Sequence, residues 1–210
     1  MKKIAVFVSG GGSNFIAIHR QIIQGNILGK IVMVFSNNPN CGAIKFAEEN
    51  SIPIFIINAA RYPNAHTRDE FLLETCLKAE IDLICLAGFM KMLPQNIVKQ
   101  YEYRILNIHP GLLPEFGGKG FYGTRVHEAV INTGKRESGA TVHFVDEIYD
   151  HGPIILQKKV EVMATDTPES LAARVLKLEH ELFPEVVKAF CENKIIMENN
   201  KPKILEYNEN

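Results

Sequence analysis

Ile4-Ala5-Val6-Phe7-Val8-Ser9-Gly10-Gly11-Gly12-Ser13-Asn14 stands almost at the start of the chain, and its order decides the fold class. An apolar run rich in β-branched and aromatic residues suits a strand buried on both faces; three glycines break it. Ser13 to Gln24 then carries apolar residues at helical spacing. The apolar run recurs at Ile31 to Ser36, Pro53 to Ile57 and Asp82 to Leu86, with helical patterns at Gly42 to Asn50 and Thr67 to Ala79 between them. Doubly buried strands alternating with helices predict a doubly wound, mostly parallel α/β sheet of Rossmann-like type.

The second half reads differently. Arg104 to Ile108 is a strand running into a Pro- and Gly-rich loop, Pro110 to Gly123, and a helix follows at Thr124 to Asn132. Ala140 to Asp146 and Pro153 to Val162 alternate as an antiparallel strand pair joined by a polar turn. Pro168 to Cys191 is an amphipathic helix with Leu171, Val175, Leu178, Leu182 and Val186 on one stripe. The tail after Asn193 is polar and expected to be peripheral, and no repeat or linker marks a firm boundary.

Composition narrows the function classes. With 210 residues, 46% of them hydrophobic and 22% charged, the chain reads as a globular domain, not a disordered or fibrous one. Lys and Arg total 23 against 24 Asp and Glu, and no basic run exceeds two residues, so nothing marks a nucleic-acid footprint. The longest strongly apolar stretch, Leu83 to Met90, is far short of the about twenty residues of a spanning helix. The start is too short for a signal-peptide core, and Cys41, Cys76, Cys85 and Cys191 form no CxxC pair. A cytoplasmic protein with reduced thiols is expected, either monomer or homodimer.

Three stretches carry chemistry. Ser9 to Asn14 lies between strand and helix, where backbone N–H groups and the helix dipole favour a phosphate; a tight turn with Ser13 as N-cap is an equal alternative. It is neither the dinucleotide fingerprint nor a Walker loop. Asn107-Ile108-His109-Pro110 ends a strand at the carboxyl edge where α/β folds bind ligands, and residues i and i+2 share a face. An amide donor suits an oxyanion and an imidazole moves protons near neutral pH, against the alternative of a hydrogen-bonded turn. Asp146, Glu147, Asp150, His151 and Gly152 form a turn open to three readings: metal loop, solvated hairpin or site loop. No paired helical histidines suggest a metal site, and no Gly-x-Ser-x-Gly elbow suggests a serine hydrolase. His143 is as fit for a structural as for a site role, His127 is open, and His19, His66 and His180 are expected in solvent, as is the Glu179-His180-Glu181 face.

Taken in order, Ser9 to Asn14, Leu86-Ala87-Gly88-Phe89-Met90, Asn107 to Pro114, and Ser138 to Phe144 leading to Asp150-His151-Gly152-Pro153 resemble the phosphoribosylglycinamide formyltransferase family of 10-formyltetrahydrofolate-dependent transferases. The match runs over nearly the whole chain. Methionyl-tRNA formyltransferases carry an added C-terminal domain and formyltetrahydrofolate hydrolases an N-terminal one, and 210 residues are expected to leave room for neither. The resemblance implies a formyltransferase fold in one domain, with a phosphate-binding half to about residue 100, a folate-binding and catalytic half to about 192, and the peripheral tail.

It implies residue roles as well. Asn107, His109 and Asp150 would be catalytic, as oxyanion donor, proton-transfer group and the carboxylate that tunes it. Gly12, Ser13 and Asn14 would hold the ribose phosphate and Glu179 the glycinamide. Arg68, Met90, Lys91, Met92, Leu93, Asn107, Glu147, Ile148, Tyr149 and Asp150 would contact folate. Lys91 stands where related enzymes often have arginine, and the loop from Glu115 to Gly123 is a few residues longer than the commoner pattern. The implied reaction moves the formyl group of 10-formyltetrahydrofolate to the amine of 5'-phosphoribosylglycinamide, in purine biosynthesis, with no metal. Asp150 is expected to raise the His109 pKa by favouring the imidazolium. A relative that formylates another amine, and a nucleotide-binding module without catalysis, are the competing readings.

Overall fold

The structure, a computed structural model, describes residues 1–205. Two compact units divide after Asn107. The first runs through β1 (Lys2–Val8), α1 (Ser13–Ile23), β2 (Gly29–Ser36), α2 (Gly42–Glu49), β3 (Ile54–Ile56), α3 (Ala65–Lys78), β4 (Leu83–Leu86) and α4 (Gln95–Gln100) into β5 (Ile105–His109). β1 pairs in parallel with β2 and β4, β2 with β3, and β4 with β5. The expected alternation and sense are both present. β1 and β4 are hydrophobic throughout their middles because both faces are covered: Ile4 to Val8 and Leu83 to Cys85 have no exposed surface. Phe7 stacks on Phe35 at 4.7 Å and Phe35 meets Phe55 at 5.2 Å, so aromatic rings tie three neighbouring strands. The short helix α4 lies where no periodic pattern announced it.

The second unit contains α5 (Thr124–Asn132), β6 (Glu137–Phe144), β7 (Ile154–Glu161), α6 (Pro168–Cys191), β8 (Ile195–Glu198) and β9 (Lys201–Ile204). β6 and β7 are antiparallel, as expected, with a register irregularity between Val142 and His143 that re-aims the strand end. Seven strands in the order β3-β2-β1-β4-β5-β6-β7 form one mixed, mostly parallel sheet. β6 starts three residues earlier than its alternation suggested. Gly139 allows this, since a Cβ there would lie 2.1 Å from the Lys158 carbonyl oxygen. Helix α6 is opened by a capping box between Thr167 and Ser170, with Pro168 in its first turn. Its apolar stripe is buried at Leu171, Val175, Leu182 and Val186 against α5 and β6. The segment read as a polar tail contains the β8–β9 hairpin, which lies against β7; residues 206–210 fall outside the described residues. Among the described residues, no helix is long and apolar enough to cross a membrane.

Candidate active site

In the first unit, the glycine loop enters α1 with Gly12, not Ser13, as N-cap. Gly12 has φ 76°, and a Cβ there would sit 2.6 Å from the Ala43 Cβ, so only glycine fits. The Ile16 N–H donates to the Gly12 carbonyl at 2.8 Å and the Ala43 N–H to the Gly10 carbonyl at 3.2 Å, which pins the loop from both sides. No side chain caps α1, so the N–H groups of its first turn and the dipole behind them are presented by backbone alone. Asn14 is buried and Ser13 half-buried. Further along, Met90 and Met92 are about half exposed, Lys91 is exposed and Leu93 is buried. Arg68 donates from Nε and Nη2 to Asp69 Oδ1, at 2.9 and 2.7 Å.

At the end of β5, Asn107 is half-buried and His109 is 3% exposed. In the second unit, the His109 Nε2–H donates to the Phe116 carbonyl at 2.6 Å, and Nδ1 lies 3.5 Å from Asp150 Oδ1. His143 mirrors it. Its Nδ1–H donates to the Phe144 carbonyl at 2.7 Å, and Nε2 lies 3.7 Å from the same Asp150 Oδ1. Because a carbonyl only accepts, both imidazoles have one proton fixed away from Asp150. A second proton on either ring is what turns its approach to the carboxylate into attraction. Asp150 Oδ2 accepts from the Gly118 N–H at 2.9 Å. The carboxylate is presented from a left-handed residue, φ 52°, ahead of Gly152, where a Cβ would fall 2.0 Å from the Phe144 carbonyl oxygen.

The charges follow from this burial. Desolvation pulls the His109 pKa below its usual value more than Asp150 and the Phe116 carbonyl lift it, with His143 adding to the fall. Asp150 acts in the expected direction, favouring the imidazolium, but burial outweighs its contribution and the net shift is downward. Burial pushes the Asp150 carboxyl up. The nearby His143 and His109 and the Gly118 N–H outweigh that and leave it below the ordinary carboxylate range. His127, buried on α5, is lowered to about 4 by burial and by His109, and its Nδ1 has no hydrogen-bond partner.

The turn from Asp146 to Gly152 is a self-bonded loop. Asp146 accepts from the Ile148 N–H at 2.8 Å and from His151 Nδ1 at 2.6 Å, leaving Ile148 and Tyr149 exposed at its tip beside exposed Glu147. Glu179 on α6 is buried, against the solvated face expected from its neighbours alone. His66 is exposed as expected, whereas His19 packs between Phe15 and Phe46 and His180 is half-buried. All four cysteines are buried free thiols. Sequence reasoning left His143 undecided and missed Thr141. The Thr141 hydroxyl donates to the Gly111 carbonyl at 2.6 Å and accepts from the Leu113 N–H and Gln157 Nε2, holding the loop that follows His109. The signal was available: Thr141 and His143 share one face of β6. Among the described residues, no group of three or more His, Cys, Asp or Glu side chains is placed to hold a metal ion.

The profile described as formyl transferase matches residues 2–187. A protein named phosphoribosylglycinamide formyltransferase, chloroplastic, from Vigna unguiculata is 46% identical over 209 residues, covering 100% of this chain and 67% of the relative. One named phosphoribosylglycinamide formyltransferase from Bacillus subtilis (strain 168) is 38% identical over 90% of this chain and 94% of its own. The crystal structure of glycinamide ribonucleotide transformylase 1 from Symbiobacterium toebii superposes with a TM-score of 0.90 at 34% identity, covering 98% of this chain and 95% of that one. With a buried strand-end histidine beside a half-buried aspartate and this likeness along the chain, the protein belongs to the formyl transferase family.

Proposed function

We propose that this enzyme transfers the formyl group of 10-formyltetrahydrofolate to the amine of 5'-phosphoribosylglycinamide, giving formylglycinamide ribonucleotide and tetrahydrofolate in de novo purine biosynthesis. The observation that carries the reading is the buried His109 drawn to Asp150 at the end of a strand that also bears Asn107. The amine attacks the formyl carbon, and the carbonyl electrons move onto oxygen. The Asn107 amide donates to that oxyanion. The proton of the new ammonium goes to the folate nitrogen as its bond to the formyl carbon breaks, which leaves tetrahydrofolate and a neutral amide product.

His109 is suited to move that proton because burial keeps it neutral before the reaction. In the structure its Nε2–H is taken by the Phe116 carbonyl. Substrate that displaces this carbonyl lets Asp150 favour the tautomer with the proton on Nδ1. The Nε2 lone pair is then free to accept from the amine and return the proton to the leaving nitrogen, with Asp150 stabilising the imidazolium in between.

Gly12, Ser13 and Asn14 are assigned the ribose phosphate and Glu179 the glycinamide. Arg68, Met90 to Leu93, Asn107 and Glu147 to Asp150 are assigned the folate, Ile148 and Tyr149 offering exposed apolar surface for a flat pterin. The phosphate thus belongs to the N-terminal half and the proton transfer to the C-terminal half. Four free thiols fit a reducing compartment such as the cytoplasm. Release of tetrahydrofolate, followed with and without 5'-phosphoribosylglycinamide, tests the reading. Release that requires this amine is expected; release with a different amine alone, or with water, overturns it.

A further inference from the structure

Ser9 sits at the junction of three strand ends in the first unit. It follows β1, Asn37 follows β2, and Met90 comes after β4 by way of Gly88 at φ 76°. These three parallel strands are neighbours in the sheet, and their carboxyl ends form the edge at which such folds bind ligands. The half-buried Ser9 hydroxyl donates its one proton to Asn37 Oδ1 at 2.6 Å and accepts from the Met90 N–H at 2.8 Å. The Ser9 carbonyl accepts from Asn38 Nδ2 at 3.4 Å. One side chain therefore supplies the acceptor for the first backbone N–H of the Met90 to Leu93 segment.

The glycine loop next to Ser9 does not depend on that hydroxyl. It has its own ties, through the Gly12 carbonyl to Ile16 and the Gly10 carbonyl to Ala43. Behind Met90, the Phe89 ring meets Phe7 edge-on at 5.3 Å, which anchors the side-chain face of the same turn but leaves the Met90 N–H to Ser9. We propose that Ser9 is a positioning residue for the folate cosubstrate, fixing the backbone of Met90 to Leu93 through its hydroxyl and itself oriented by Asn37. The inference rests on the assignment of Met90 to Leu93 to the pterin.

Ser9→Ala removes the acceptor and the proton that Asn37 takes, and Ser9→Thr keeps both. In Ser9→Ala the KM for 10-formyltetrahydrofolate rises roughly tenfold, the scale of one lost neutral hydrogen bond with its partner left unmet, while the KM for 5'-phosphoribosylglycinamide moves by less than about twofold. Ser9→Thr restores the folate KM. Amide hydrogen exchange at Met90, which needs no activity, quickens in Ser9→Ala and recovers in Ser9→Thr. Faster exchange with an unchanged folate KM overturns the proposal, as do an equal rise for both substrates, failure of Ser9→Thr to restore, or unaltered exchange. Failure of the functional reading shows itself separately, as wild-type protein that releases no tetrahydrofolate in the presence of the ribonucleotide.

Discussion

Asp150 meets two imidazoles on one oxygen and a backbone N–H on the other, and this division sets what each substitution does. In Asp150→Asn the shape is kept and the negative charge is lost, so the His109 pKa, already below its usual value, falls further. Titration of His109 by NMR reads this directly; an unmoved pKa would show that the pair does not interact. Turnover falls in both Asp150→Asn and His109→Ala, and the double variant loses much less than the product of the two, since groups acting as a unit are not additive. Asn107→Ala tests the oxyanion donor at the same scale. Turnover drops by about two to three orders of magnitude with folding intact, the cost of removing one donor to a developing charge. Near wild-type turnover would contradict the role.

At the scale of elements, the glycine loop separates two kinds of glycine. Gly12 combines φ 76° with a neighbour at 2.6 Å from any Cβ, whereas Gly10 has nothing within 4 Å. Gly12→Ala is expected to destabilise by about 2 kcal/mol or more and to raise the KM for the ribonucleotide, while Gly10→Ala stays within about 0.5 kcal/mol. Denaturant unfolding of the two variants checks the contrast, and equal losses would remove the packing argument. The alternation that made β1, β2 and β4 legible is a property of buried runs, which composition alone reveals. β8 and β9 escaped because the apolar run Ile195 to Met197 is only three residues long and β9, Lys201–Ile204, is mostly polar and holds a proline, although Asn199-Asn200, both at positive φ, is the two-residue turn such a hairpin demands. Asn107 and His109 were readable from alternation within one strand. The Phe116 carbonyl and the Gly118 N–H were not, because a loop's backbone partners depend on the path it takes and not on its side chains.

Across the whole chain, buried histidines shape the response to acid. His127 titrates at about 4 when folded against an ordinary value of 6.5, and His109 is lowered as well, so the unfolded chain binds more protons than the folded one in this interval. The share of stability contributed by these neutral, buried histidines is therefore fully present above about pH 6.5 and is lost as the pH falls towards 4. The thermal midpoint measured across that range should fall with acidification, less steeply in His127→Gln; equal slopes would exclude His127 as a source. The same burial sorts the seven histidines by chemical reactivity. An acylating reagent needs an exposed ring nitrogen with a free lone pair. His66 and His151, with side chains 80% and 65% exposed, offer one readily. His109 does not, because its Nε2 proton is committed to the Phe116 carbonyl and its other nitrogen faces Asp150. Modification of the free protein should proceed in a fast and a slow class, with activity lost only in the slow one. The rate of that slow class then times how often the Phe116 carbonyl lets go of the ring.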